Sequence, residues 1–134
     1  MPATSFPEYA RQFQSVIDAL LVAGDATLRD FEVDPRSLIH GYIAGVLEFS
    51  DRSTLHIREF VHLRLTPPTR MYVYHYQDAA HQLRFRYDNA AHRPPLTHAE
   101  HKHTPSSIEH APLPSLREVI DEILTHHLPY GRIS

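Results

Sequence analysis

With 134 residues, 42% of them hydrophobic and 10% aromatic, the chain has the makings of one globular domain around a single core, not of a disordered segment. It lacks cysteine, which excludes a disulfide framework and a zinc–thiolate centre. No apolar run approaches the ~20 residues that span a bilayer, and the N-terminus has no signal pattern, so a soluble cytoplasmic protein with no membrane association is expected. The formal charge of −3 argues against a surface coated in nucleic acid, yet 12 of the 13 basic residues are arginine and 12 further residues are histidine; a GC-rich genome is the simplest source of the arginine bias.

Ser5-Phe6-Pro7-Glu8 opens a helix, with Ser5 as N-cap, Pro7 in the first turn and Glu8 placed to close a capping box. Phe6, Tyr9, Phe13, Val16, Ile17, Leu20 and Leu21 recur at helical spacing and Gly24 is a stop, which predicts an amphipathic helix over 7–23. Thereafter the period shortens to two. Strands are expected over about 26–33, 38–49, 54–65, 71–77 and 82–88, separated by Asp34-Pro35, Ser50-Asp51-Arg52-Ser53, Thr66-Pro67-Pro68-Thr69 and Asp78-Ala79-Ala80-His81. Gly41 and Gly45 fall inside the second strand, where glycine marks a close approach, and the first helix is expected to lie across them. Residues 89–113 read as a proline-broken, histidine-rich loop. Ser115-Leu116-Arg117-Glu118 is a second capping box, opening a closing helix over 115–127. The fold class is therefore α+β: an antiparallel meander of about five strands with an N-terminal and a C-terminal helix on one face, in one domain over 1–134. A homodimer through the exposed sheet edge or the terminal helix is compatible with this layout.

The third strand alternates most clearly, with Leu55, Ile57, Val61 and Leu63 on one side and His56, Arg58, His62 and Arg64 on the other. Glu59 interrupts the apolar side and needs a partner if it is buried. The open face is expected to combine Arg58 and Arg64 with tyrosines of the next strand, Tyr74 among them, and with Arg84 and Arg86. Arginines interleaved with aromatic rings suit single-stranded nucleic acid. An ordinary solvated face stabilised by cross-strand pairs is the plainer alternative, and cover by a partner protein is a third.

From Arg84 to His103 the chain concentrates its titratable groups: Arg84, Arg86, Asp88, His92, His98, His101, Lys102 and His103. One reading is a metal site built from imidazoles with Asp88, although the spacing is not that of a helical zinc motif. A second is acid–base cleavage of a phosphodiester, one histidine removing the 2′-hydroxyl proton and another protonating the leaving oxygen while cations hold the phosphate; this needs no metal and no cofactor. A third is a polar loop whose histidines do nothing specific.

This stretch resembles the TumE family of toxins from type II toxin–antitoxin systems. The resemblance rests on Phe85-Arg86-Tyr87-Asp88-Asn89-Ala90-Ala91-His92 and His101-Lys102-His103. It extends to Leu47–Leu55, Arg58-Glu59-Phe60-Val61, Tyr74-His75-Tyr76-Gln77-Asp78 and the helix around Leu116-Arg117-Glu118-Val119-Ile120. The family pattern reads Arg-Tyr-Asp-Asn-Ala-Pro-His-His-Pro, then His-His-Lys-His. Ala91, Arg93 and Glu100 depart from it, which weakens a multi-histidine metal site and leaves the acid–base set intact. The resemblance implies a small toxin neutralised by a cognate antitoxin protein, and by analogy with other small toxins an endoribonuclease. On that basis His101 and His103 are the expected acid–base pair, with His92 as a substitute. Arg86 and Lys102 bind the scissile phosphate, Asp88 orients a histidine, and Arg58, Arg84, Arg64 and Tyr74 extend the RNA track. The alternative is a non-enzymatic module whose sheet face and loop bind a partner protein or nucleic acid.

Overall fold

The N-cap at Ser5, whose hydroxyl accepts from the Glu8 amide at 3.3 Å, starts helix α1, Phe6–Val22. Its buried stripe is Phe6, Phe13, Ile17 and Leu20. The computed structural model, which describes residues 3–63, 69–89, 101–111 and 114–128, continues from α1 into seven strands. These are β1 Ala26–Ser37, β2 His40–Phe49, β3 Thr54–His62, β4 Thr69–Gln77, β5 Leu83–Asp88, β6 His101–His103 and β7 Ile108–His110. Helix α2, Leu116–Glu122, closes the chain and runs on as a π-helical turn, Ile123–His127, whose final bond joins the Leu128 amide to the Ile123 carbonyl at 2.9 Å. Ser115 and Glu118 form both halves of the capping box, at 3.1 and 3.0 Å. Among the described residues no helix is long and apolar enough to cross a membrane.

The strands lie in sequence order, each antiparallel to its neighbours, so the sheet is one meander. About five strands were expected; β6 and β7 are additional and lie within residues 89–113. Pro35 falls on an edge strand, beside a register shift between Pro35 and Ser37, the setting in which a strand tolerates proline. Two hairpin turns hold non-glycine residues at positive φ, Arg52 at 69° and His81 at 64°. Each is steadied by an aspartate: Asp51 accepts from the Ser53 amide at 2.9 Å, and Asp78 from Ala80 and Gln82 at 2.9 and 3.0 Å.

Both helices pack on the same face. The core joins Phe13, Ile17 and Leu20 to Ile43, Leu47, Leu55 and Ile57, and then to Phe85, Val119, Ile120 and Ile123. Each such side chain contributes about 1.5–3 kcal/mol by leaving water. Tyr72, Tyr74 and Tyr76 belong to this core, because the register pairs Ile57 with Tyr74 and Leu55 with Tyr76. The tyrosines were expected on the open face; there β4 presents Met71, Val73 and His75 instead. Gly41 takes the ring of Phe6: a Cβ at this position would lie 2.4 Å from its carbons. Gly45 does not touch the helix, and a Cβ there would meet the Asp30 carbonyl and the Phe31 ring of β1 at 3.2 and 3.3 Å.

One carboxylate is buried in the covered face. Glu59 accepts hydrogen bonds from the hydroxyls of Tyr9 on α1 and Tyr74 on β4, and its ion partner is Arg70, 3.9 Å away. Arg70 donates to the Pro114 carbonyl and lies over Tyr72 at 5.0 Å. Burial works against the Arg70 charge, but Glu59 and the two phenols outweigh it and raise its pKa. Burial and then the charge of Glu59 push both Tyr9 and Tyr74 upward. The cluster ties α1, β3, β4 and the segment before α2 together.

Candidate active site on the open sheet face

Strand alternation and register decide which groups meet. β5 pairs with β6 as Arg86 to His103, Tyr87 to Lys102 and Asp88 to His101. Phe85 and Tyr87 belong to the covered face, so Arg86, Asp88, His101 and His103 stand together on the other. Asp88 is buried, and its carboxylate gathers three groups. Arg86 Nε lies 3.0 Å from Oδ2, His103 Nε2 lies 3.1 Å from the same oxygen, and His101 Nδ1 is 3.5 Å from Oδ1. The two imidazoles sit 6.1 Å apart at 72°. His101 is buried; His103 is half-buried and nearer the surface. The carboxylate beside His101 Nδ1 favours the tautomer with the proton there, and the same carboxylate lies at ion-pair distance from His103 Nε2.

Two rows of side chains run from this centre across the sheet. The first is His103, Arg86, His75 and His56, in consecutive register from β6 to β3. The His56 and His75 rings are 6.2 Å apart. Burial lowers the pKa of His56, helped by the charges of His75, Arg58 and His81; burial also lowers that of His75, helped by Arg86 and opposed by Gln77. The second row is His101, Asp88, Val73 and Arg58. Arg58 is exposed and lines a groove of about 560 Å³ together with Arg86, His75 and His56.

Several expected site residues lie elsewhere. Lys102 is on the covered face, because it sits between two residues that point outward: its Nζ bonds Glu122 at 2.9 Å and lies 5.1 Å from the Tyr87 ring. It is not beside the histidines. Tyr74 is fully buried with its hydroxyl on Glu59, so it is no part of the open face. Arg84 is the extra residue where the β4–β5 register shifts, and it pairs with Asp78 at 3.5 Å. His92, His98 and Arg64 lie outside the described residues. His75 was not among the expected site residues. Its alternation with Tyr74 and Tyr76 was the available signal, but it points to the site only once the tyrosines are known to face inward.

The arrangement supplies what proton transfer at a phosphate needs: two oriented imidazoles, a carboxylate behind them and a guanidinium alongside. Asp88, His101 and His103 also place one ligand atom each within 4.8 Å of one another, a donor set that suits a divalent transition metal.

A family model described as Toxin TumE matches residues 12–128, a span that contains α1 from its second turn, all seven strands and α2. No curated protein and no solved structure matches the chain. A match over most of the sequence, including every residue of the Asp88 cluster, shows that the chain belongs to the TumE toxin family.

Proposed function

We propose that the chain is the toxin of a type II pair, neutralised by a protein antitoxin, and that it acts in the cytoplasm by cleaving RNA at the open face of its sheet. Membership of a toxin family brings the general expectation of an antitoxin partner. The observation that carries the catalytic reading is the single Asp88 carboxylate holding His101, His103 and Arg86 at 3.0–3.5 Å. In this reading one imidazole takes the proton of a ribose 2′-hydroxyl and the 2′-oxygen bonds to phosphorus. The bond to the 5′-oxygen then breaks, and the other imidazole protonates that oxygen. The products are a 2′,3′-cyclic phosphate and a 5′-hydroxyl, with no metal consumed or required. Arg86 neutralises the non-bridging oxygens and Arg58 extends the cationic track. His92 remains a candidate substitute for one histidine.

The test is induced expression without the antitoxin, comparing wild type with His103→Ala and with His101→Ala/His103→Ala, followed by end-group analysis of total RNA. Arrest with cyclic phosphate ends in wild type alone supports the reading. Equal arrest by all three overturns the histidine chemistry. A graded loss with Arg58→Ala and Arg86→Ala, without RNA fragments, favours the binding module. Because the Asp88, His101 and His103 ligand atoms converge within 4.8 Å, a metal-dependent reaction is the second reading. Abolition of cleavage by EDTA and its return with a divalent transition metal would select it.

A further inference from the structure

The groove on the open face has two chemically different ends. Towards β5 it is cationic through Arg58 and Arg86, with the His56 and His75 rings beside them. Its floor on β2 is small, from Ala44 and Val46, and its far rim on edge strand β1 carries Asp30 and Glu32. Register places Glu32 across Ala44 from Arg58, and Asp30 across Val46 from His56. Among the described residues neither Asp30 nor Glu32 forms an ion pair, so the groove is not bridged by its own charges. Tyr42 flanks it, tilted against Phe60 at 5.6 Å.

We infer that this groove is a subsite for one guanine nucleotide of single-stranded RNA, with its phosphate on Arg58 and Arg86 and its base against Glu32 and Asp30. The inference rests on the RNA reading above and adds base recognition to it. Carboxylates on β1 repel phosphate, so they fix the direction in which a nucleotide enters. Arg58 and Glu32 stand two strand spacings apart, about 10 Å, the reach of a nucleotide from phosphate to base edge. An ionised carboxylate only accepts hydrogen bonds. Guanine offers it two adjacent donors, N1–H and the N2 amino group. Adenine and cytosine offer one amino donor beside an acceptor, and uracil offers one N–H between two carbonyls. Tyr42 supplies a ring for stacking, a sequence-tolerant contribution beside the selective one. A volume of about 560 Å³ is enough for one nucleotide.

The experiment is fluorescence anisotropy of the wild-type chain with 2′-O-methyl oligouridine hexamers carrying a central G, A, C or U, which cannot be cleaved through a 2′-hydroxyl. About tenfold tighter binding of the G oligomer is expected. Asp30→Asn and Glu32→Gln, changes at exposed positions of the edge strand, should each bring that preference below about threefold and leave uridine binding unchanged or tighter. Equal binding of all four hexamers, or a preference kept in the Asp30→Asn/Glu32→Gln double variant, overturns the subsite. Displacement of the G oligomer by GMP but not AMP supports it; binding of GMP with no binding of the oligomer assigns the groove to free nucleotide and overturns the RNA source. Guanine preference without RNA cleavage would leave the subsite standing and remove the nuclease. Cleavage with no base preference would do the reverse.

Discussion

Lys102 Nζ lies 2.9 Å from Glu122, while the next residue, His103, places its Nε2 3.1 Å from Asp88 on the opposite face of the sheet. Adjacent residues of one short strand therefore serve different ends. Lys102 and Tyr87, whose hydroxyl donates to Glu122 at 2.6 Å, tie β5 and β6 to α2. Lys102→Met should lower folding stability by about 1 kcal/mol, the worth of a partly exposed ion pair with a cation–π contact. It should leave the RNA-directed activity proposed for the open face intact. His103→Ala should do the converse. Urea unfolding beside a cleavage assay of both variants separates the two roles; loss of activity in Lys102→Met at unchanged stability would contradict the assignment.

Glu59 is the anchor of the covered face. Glu59→Ala should cost about 3–5 kcal/mol, because Arg70 is then left buried without its counter-ion. Tyr9→Phe should cost less, since the carboxylate keeps Tyr74 and Arg70. Chemical denaturation of the two variants checks the order, and a milder effect from Glu59→Ala than from Tyr9→Phe would show that the cluster does not act as described.

The same phenols make stability fall in alkali. Tyr87 is pushed up to about 12, first by burial and then by its bond to Glu122, and Tyr9 and Tyr74 are raised as well. Their folded pKa values exceed the unfolded value near 10, so their contribution is whole below about pH 10 and lost as pH rises towards 12 and beyond. Phenolate absorbance in the folded protein should lag behind that of the unfolded chain, with the remaining tyrosines titrating together with unfolding.

On the open face the sign is opposite. His56 and His75 have lowered pKa values, so the unfolded chain binds protons first as pH falls below about 6.5. Their contribution is whole above that value and is lost as pH drops through the folded pKa values. His56→Gln/His75→Gln should flatten the acid limb of the stability profile. An unchanged acid limb would mean that these rings titrate normally.

Gly41 and Phe6 share one space. Gly41→Ala puts a methyl group 2.4 Å from ring carbons of a residue that is itself buried, and should cost about 1–3 kcal/mol. Phe6→Leu alone should also destabilise, yet the pair should cost less than the sum of the two changes. Additive losses in a double-mutant cycle would mean that the ring yields easily.

The covered and open faces of β3 were legible because Leu55, Ile57 and Val61 alternate with His56 and Arg58, and only one set is apolar. β4 carries no such distinction: Tyr72, Tyr74 and Tyr76 alternate with Met71, Val73 and His75, and either set can be buried. Only the β3–β4 register, which pairs Leu55 with Tyr76, settles it, and a period of two does not contain a register. The same limit hid β6 and β7. Three residues reading His-Lys-His have no hydrophobic alternation, so their pairing with Arg86-Tyr87-Asp88 is visible only in three dimensions. Residue type alone marked Asp88, His101, His103 and Arg86 as candidates; that they converge on one carboxylate was not legible. Nor was the exclusion of Lys102, because it depends on β6 being extended.

Half of the candidate centre rides on a strand of three residues, whereas β2 runs for ten. β6 holds its place through three cross-strand pairs on each side, the Lys102 bond to Glu122 and the Asp88 contacts, far fewer ties than the long central strands have, so it can detach at lower cost. Inactivation should therefore precede melting: at denaturant concentrations where amides of β2 and β3 still resist hydrogen exchange, those of β6 should already exchange, and a poisoned cell would face a toxin disarmed by mild stress well before it is destroyed.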